Sequence, residues 1–243
     1  MTASLIKSLQ TSERRGAPID FTTLRRHGIS AALAHDYVKS GWLERLGRGV
    51  FMFAGDQLNR DATLRFLESR VPDLHVAAKT ALSRHGFQQN VAHEERLILW
   101  GSRKGNLPDW FHERFPARYS TACLFDEDLP SGLGISPLAD APDGPRVSSP
   151  ERALLEMLSE VGVHQEMAEA LAIMESVRQL RARQLGVLLA GCRMVKAIRL
   201  CVNWSEQLGL PWADAARVAA ADRMGTGRWI KRLKDGTTLV LKP

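Results

Sequence analysis

Residues 20–55, DFTTLRRHGISAALAHDYVKSGWLERLGRGVFMFAG, constrain the fold more than any other stretch, because their hydrophobic period passes from helical to strand-like within one short run. Thr22 and Thr23 can cap a short helix with Phe21 and Leu24 inward, and His27-Gly28 can end it, since glycine accepts positive φ. After a turn of three to four residues, Ser30 stands where an N-cap belongs. The helix predicted over 31–40 then places Leu33, Ala34, Tyr37 and Val38 on one face and Ala32, His35, Asp36 and Lys39 on the other. Beyond Gly41 the period falls to two, with Trp42 to Leu46, the tip Gly47-Arg48-Gly49, and Val50 to Phe53. A helix-turn-helix followed by a hairpin is the order of a winged helix. In such a unit the second helix, with Ser30, Ala32, His35 and Lys39, reaches base edges in a major groove. Arg25, Arg26, Arg45 and Arg48 would neutralise phosphates or probe the minor groove. The plainer alternative is a small subdomain with solvated arginines, or a winged helix that meets a protein partner.

Charge is distributed to match. The chain of 243 residues carries a net +6, with eight basic against four acidic side chains in 1–55, ten against thirteen in 56–145, and fifteen against ten in 146–243. Basic ends and an acidic middle suit a polyanionic partner, although solvated helix faces give similar counts. The cysteines, Cys123, Cys192 and Cys201, stand in apolar settings without CxxC spacing, which argues against a disulfide framework and a zinc site. No run of about eighteen apolar residues and no leader pattern occurs, so a cytoplasmic protein without a membrane partner is expected.

The fold class expected is α+β: a winged helix-turn-helix over 1–56, then a remainder over 57–243, mixed α/β to 145 and mainly helical from 146. A leading helix over 4–13 turns Leu5, Ile6 and Leu9 inward as the third helix of the head. Helices are predicted over 59–71, 74–86 and 108–114, and strands over 95–100, 117–125 and 134–138, closed by the loop 140–146. Ser149-Pro150-Glu151 is a strong helix start, with Arg152 and Glu156 on the polar side. Helical patterns follow over 165–177, 181–189, 194–208 and 212–221. A terminal hairpin, 228–233 with 237–241, turns at Asp235-Gly236.

The GIS turn, the wing GWLERLGRGVF, the HVAAKTALSRHG segment and the SSPERALLEML segment, in that order, resemble the AbiEi-type antitoxins of type IV toxin-antitoxin (abortive infection) systems. The likeness covers most of the chain and is weakest in motif over the last hundred residues. It implies a winged-helix DNA-binding domain that represses its own operon, and a C-terminal domain with antitoxin activity. It also implies a nucleotidyltransferase-like toxin that the antitoxin need not bind stably. Arg45 and Arg48 match in the wing; Ala32, His35 and Lys39 are inferred from the helical face alone.

Enzyme signatures are sparse. The histidines at 27, 35, 75, 85, 93, 112 and 164 form no HxH, HExxH or HxxxH pair, so no metal and no cofactor is expected. Gly101-Ser102 after ERLILW is placed like the entry of a nucleotidyltransferase loop, but Arg103-Lys104 follows where paired carboxylates would be needed. GxSxG, GxGxxG and GxxxxGK[ST] are absent. The triplet Asp126-Glu127-Asp128 is the nuclease alternative, without a (D/E)-x-K partner. Trp42, Phe51 and Phe53 read as a wing packed on its own core, and Trp100, Trp110, Phe111 and Phe115 as core of the middle part. Arg193, Lys196 and Arg199 recur at i, i+3, i+6; they are either a solvated helix face or a second basic surface for DNA backbone, tRNA or an acidic partner. The expectation is a non-enzymatic regulator that binds double-stranded operator DNA, counteracts a toxin and takes no small-molecule substrate.

Overall fold

The structure, a computed structural model, describes residues 2–87, 96–130, 132–232, 236 and 238–241. Its head is built from three helices and one small sheet. Helix α1 (Thr2–Ser12) lays Ile6 and Leu9 against Leu24, Ile29, Ala34 and Tyr37. Helix α2 (Phe21–Arg26) begins one cap earlier than the threonines suggest: the Asp20 carboxylate accepts from the Thr23 amide at 2.7 Å. Gly28, at φ 76°, carries the turn, and Ser30 caps α3 (Ala31–Lys39) by accepting from Leu33 N at 3.2 Å.

The wing is the antiparallel pair β2 (Leu43–Gly47) and β3 (Val50–Phe53), with an irregularity in register between Arg45 and Gly47. Strand β1 (Ile19–Asp20) adds to the other side of β3, giving the order β1-β3-β2. Two residues carry no period, so this strand left no trace in the pattern. Phe51 and Phe53 are buried as expected, whereas Trp42 is 48% exposed, a correction to its reading as core.

The head's apolar cluster ends at Phe53, and a second, larger one begins at Leu64. After α4 (Arg60–Glu68), the predicted helix over 74–86 divides into β4 (His75–Val76) and α5 (Ala78–Arg84), because Ala78 takes φ 48° and breaks the helical path. Strand β5 (Leu97–Trp100), helix α6 (Asp109–His112) and strand β6 (Ala117–Ser120) follow, with β6 shorter than expected. Strands β7 (Ile135–Ser136) and β8 (Val147–Ser148), the latter not foreseen, complete a sheet of order β6-β5-β4-β8-β7. The β5–β6 and β4–β8 pairs are parallel. All four residues of β5 are buried, as a continuous apolar run in a covered sheet requires.

Helix α7 (Pro150–Glu160) starts at Ser149 with proline at its first position and runs through the middle of the body, packed by α5 and by the later helices α9 (Ala182–Ala190) and α10 (Val195–Gln207). Helices α8 (Met167–Ser176) and α11 (Ala213–Ala220) complete the bundle. The chain then forms the hairpin β9 (Trp229–Arg232) and β10 (Thr238–Leu241). Asp235 of its expected turn, Glu95 of the expected strand and His93 lie outside the described residues.

Head and body meet along a definite seam. Arg70 pairs with Asp20, and Arg114 with Glu44 at 3.1 Å, while Arg15 pairs with Asp56 at the end of the head itself. The wing's underside rests on α6: a Cβ added to Gly47 would lie 2.9 Å from Trp110 Cδ1, so only glycine permits this approach. Leu46 and Val50 pack partly against the body's cluster, so the wing closes both cores.

Candidate nucleic-acid interface

Helix α3 sorts its residues as its period dictates. Ala34 and Tyr37 are buried, Leu33 and Val38 half-buried, and Ala32, His35, Asp36 and Lys39 exposed. Ser30 is exposed, but its hydroxyl oxygen is engaged in capping. Arg25 and Arg26 stand exposed in the last turn of α2, where Arg26 Nη2 donates to Thr23 Oγ1 at 3.0 Å. Arg45 is exposed on β2, its Nε donating to the Gly47 carbonyl at 3.2 Å, and Arg48 is exposed at the tip. Gly49, at φ 71°, lets that tip turn tightly. Trp42, between α3 and the wing, joins these exposed residues.

The head's pose depends on Asp20, which caps α2, pairs in β1 and faces Arg70. Burial pushes its carboxyl up, and the Thr23 hydrogen bonds with the Arg70 charge more than offset this, so its pKa lies below the ordinary value. A lowered carboxyl pKa adds stability that is present above the unfolded value and lost as pH falls through the folded one. Asp20→Asn keeps an acceptor for Thr23 and removes the charge facing Arg70. At neutral pH the variant should lose on the order of 1 kcal/mol in urea unfolding, and at about pH 3 the deficit should be smaller. A deficit equal at both pH values would assign the loss to the cap instead.

Comparison with known families decides the affiliation. Residues 2–93 match the family described as "Transcriptional regulator, AbiEi antitoxin N-terminal domain", and residues 94–240 match "Transcriptional regulator, AbiEi antitoxin, Type IV TA system". The chain belongs to the AbiEi antitoxin family. It is thus an antitoxin-type transcriptional regulator of a type IV toxin-antitoxin system. Among solved structures, the RV2827C protein from Mycobacterium tuberculosis is similar at 16% identity with a TM-score of 0.63, over 91% of this chain and 81% of that one, a likeness of fold. No curated protein matches the sequence.

In this AbiEi chain the stripe Arg193, Lys196 and Arg199 forms neither a solvated face nor a basic surface. Of Arg193, Lys196 and Arg199, only Arg193 is exposed, and it lies 3.7 Å from Asp126. Lys196 is buried and donates from Nζ to the Val161 carbonyl at 2.9 Å. Arg199 is 2% exposed, donating from Nε to Met224 O at 2.6 Å and from Nη1 to Gly227 O at 2.6 Å and Leu241 O at 3.1 Å. The stripe faces inward because the terminal hairpin and the end of α7 cover it, and buried cations persist only where carbonyls accept from them.

Arg152 and Glu156 are a second correction. Glu156 is fully buried, accepting from Ser148 Oγ at 2.8 Å, Arg152 Nε at 2.9 Å and the Ala78 amide at 3.1 Å, with His75 Nε2 at 3.2 Å. Burial pushes its carboxyl up, but His75, Arg152 and the Ala78 amide together hold it below the ordinary range.

Asp126, the first carboxylate of the nuclease alternative, pairs with both Arg193 and Arg223. Among the described residues no three His, Cys, Asp or Glu side chains converge as a metal site would require. No helix among them is long and apolar enough to cross a membrane.

Proposed function

We propose that this antitoxin is a cytoplasmic autorepressor that reads the duplex upstream of its own gene with residues 1–56 and counteracts a nucleotidyltransferase-like toxin through residues 57–243. One observation carries the reading: α3 follows a glycine turn and exposes Ala32, His35 and Lys39 along one face, beside a hairpin that exposes Arg45 and Arg48. In this reading α3 lies in the major groove, its small residue Ala32 allowing close approach while His35 and Lys39 meet base edges. Arg25, Arg26, Arg45 and Arg48 neutralise phosphates, and the protein performs no chemistry on the DNA. The toxin is opposed without a stable complex, through the body.

A mobility-shift titration of the upstream duplex beside a scrambled one, at two salt concentrations, tests this. The upstream duplex should be retarded preferentially and more weakly at high salt. The Arg45→Ala/Arg48→Ala variant should bind all duplexes about ten- to a hundredfold less tightly, with a salt slope shallower by about two. His35→Ala should instead narrow the gap between upstream and scrambled DNA. Equal, weak retardation of both duplexes would overturn the operator reading and leave the head as a docking module for a protein.

A further inference from the structure

A cavity of about 610 Å³ opens beyond the carboxyl ends of the parallel strands β5 and β6, where Trp100 and Ser120 are register partners and His75 of β4 pairs with Trp100. The space outside the carboxyl ends of parallel strands is a usual seat of small ligands in open sheets. The volume lies within the range of small-molecule sites. Nothing in the operator-reading role uses it.

Three features mark it as built rather than incidental. First, Asp73 and Ala78 are the non-glycine residues at positive φ among those described, at 56° and 48°; Asp73 lines the cavity, and Ala78 stands behind it, bonded to the Glu156 that holds Arg152. The Asp73 carbonyl accepts from His75 Nδ1 at 2.6 Å, and the Ala78 amide donates to Glu156. Backbone strain of this kind gathers where a side chain must be held in one pose. Second, the fixed residues present a planar surface: the Arg152 guanidinium, held by Glu156 and the Leu133 carbonyl, lies over the Phe125 ring at 4.7 Å. Third, Trp100 lines the cavity, and its buried Nε1–H has no acceptor within the described chain. Buried donors are rarely left so.

The lining selects a chemical class. Trp100, Leu124 and Phe125 offer apolar and aromatic contact, while the carboxylates of Asp73, Asp126, Glu127 and Asp128 outnumber the one guanidinium in the lining, that of Arg152, which is itself paired with Glu156. Carboxylates repel phosphate and carboxylate ligands and accept from hydroxyl and amino groups. We propose that this cavity binds an unphosphorylated nucleoside, its base against the aromatic wall and its hydroxyls toward the carboxylates.

Isothermal titration of the full chain with adenosine, guanosine, cytidine and uridine, each beside its 5′-monophosphate, tests the assignment. At least one nucleoside should saturate a single site at millimolar concentration or below, with its monophosphate bound about tenfold more weakly. Ala122→Trp, which places bulk at the mouth from an exposed position, should weaken the nucleoside about tenfold or more. Glu127→Lys/Asp128→Lys, also at exposed positions, should abolish the penalty against the monophosphate. Silence from every nucleoside, undiminished binding to a folded Ala122→Trp, or equal binding of the monophosphate by the native chain would each overturn the proposal.

Discussion

Glu156→Ala lowers the unfolding free energy by about 3–5 kcal/mol, the cost of removing one partner from a buried, hydrogen-bonded charge cluster. The magnitude follows from what the substitution strands. Ser148 Oγ, the Ala78 amide and Arg152 Nε each lose their acceptor, and His75 Nε2 loses its neighbour, in a site closed to water. Glu156→Gln should cost about 1–3 kcal/mol, because the amide oxygen still accepts from Ser148 and Ala78. The folded carboxyl titrates below its ordinary value, so its contribution is present above roughly pH 4.3 and is lost as pH falls through the folded value. Native protein should therefore lose stability in acid more steeply than Glu156→Ala. Guanidinium unfolding of the variants across pH measures both effects. A loss below about 1 kcal/mol for Glu156→Ala would mean that the cluster contributes no more than an exposed ion pair.

Arg199→Met should release the C-terminal hairpin at a cost of about 2–3 kcal/mol, because one buried guanidinium supplies donors to three carbonyls and charge-assisted bonds are the stronger kind. Those carbonyls belong to Met224, Gly227 and Leu241, which bracket the hairpin, so the loss is local. Native-state hydrogen exchange should show the β9 and β10 amides opening about thirtyfold or more faster, with those of α7 far less changed. Methionine retains most of the stem's apolar volume, which separates lost hydrogen bonding from lost packing. Uniform acceleration in α7 and the hairpin alike would show instead that Arg199 supports the whole bundle.

The head was the more legible half. Ser30 before a helical period, glycine in the turn and alternation after Gly41 are local signals, and α3, β2 and β3 follow them. Strands β1 and β8 escaped because two residues have no period and owe their state to their partners, Phe51 with Val50 and Ile135 with Ser136. The helix predicted over 74–86 failed at Ala78, whose positive φ serves the Glu156 carboxylate, a contact across 78 positions that no local window contains. Burial of Glu156, Lys196 and Arg199 defeated the rule that charges face water. In α7 and α10 nearly every side is covered, so the polar stripe turns toward carbonyls and counter-ions instead of solvent. At the proposed interface the exposed face of α3 was readable in advance; the exposure of Trp42 was not, since an aromatic next to an alternating run looks like core.

The wing seated on α6 has a consequence for inheritance. A recombination joint between residues 93 and 94, where the two family matches meet, keeps Asp20 with Arg70 and Arg15 with Asp56, yet separates Gly47 from Trp110 and Glu44 from Arg114. An exchange of front halves at that joint would carry Asp56 and Arg70 along with the head. It would also set a new α6 against the underside of the wing, and would be tolerated only where a glycine again stood opposite the tryptophan and a cation opposite Glu44.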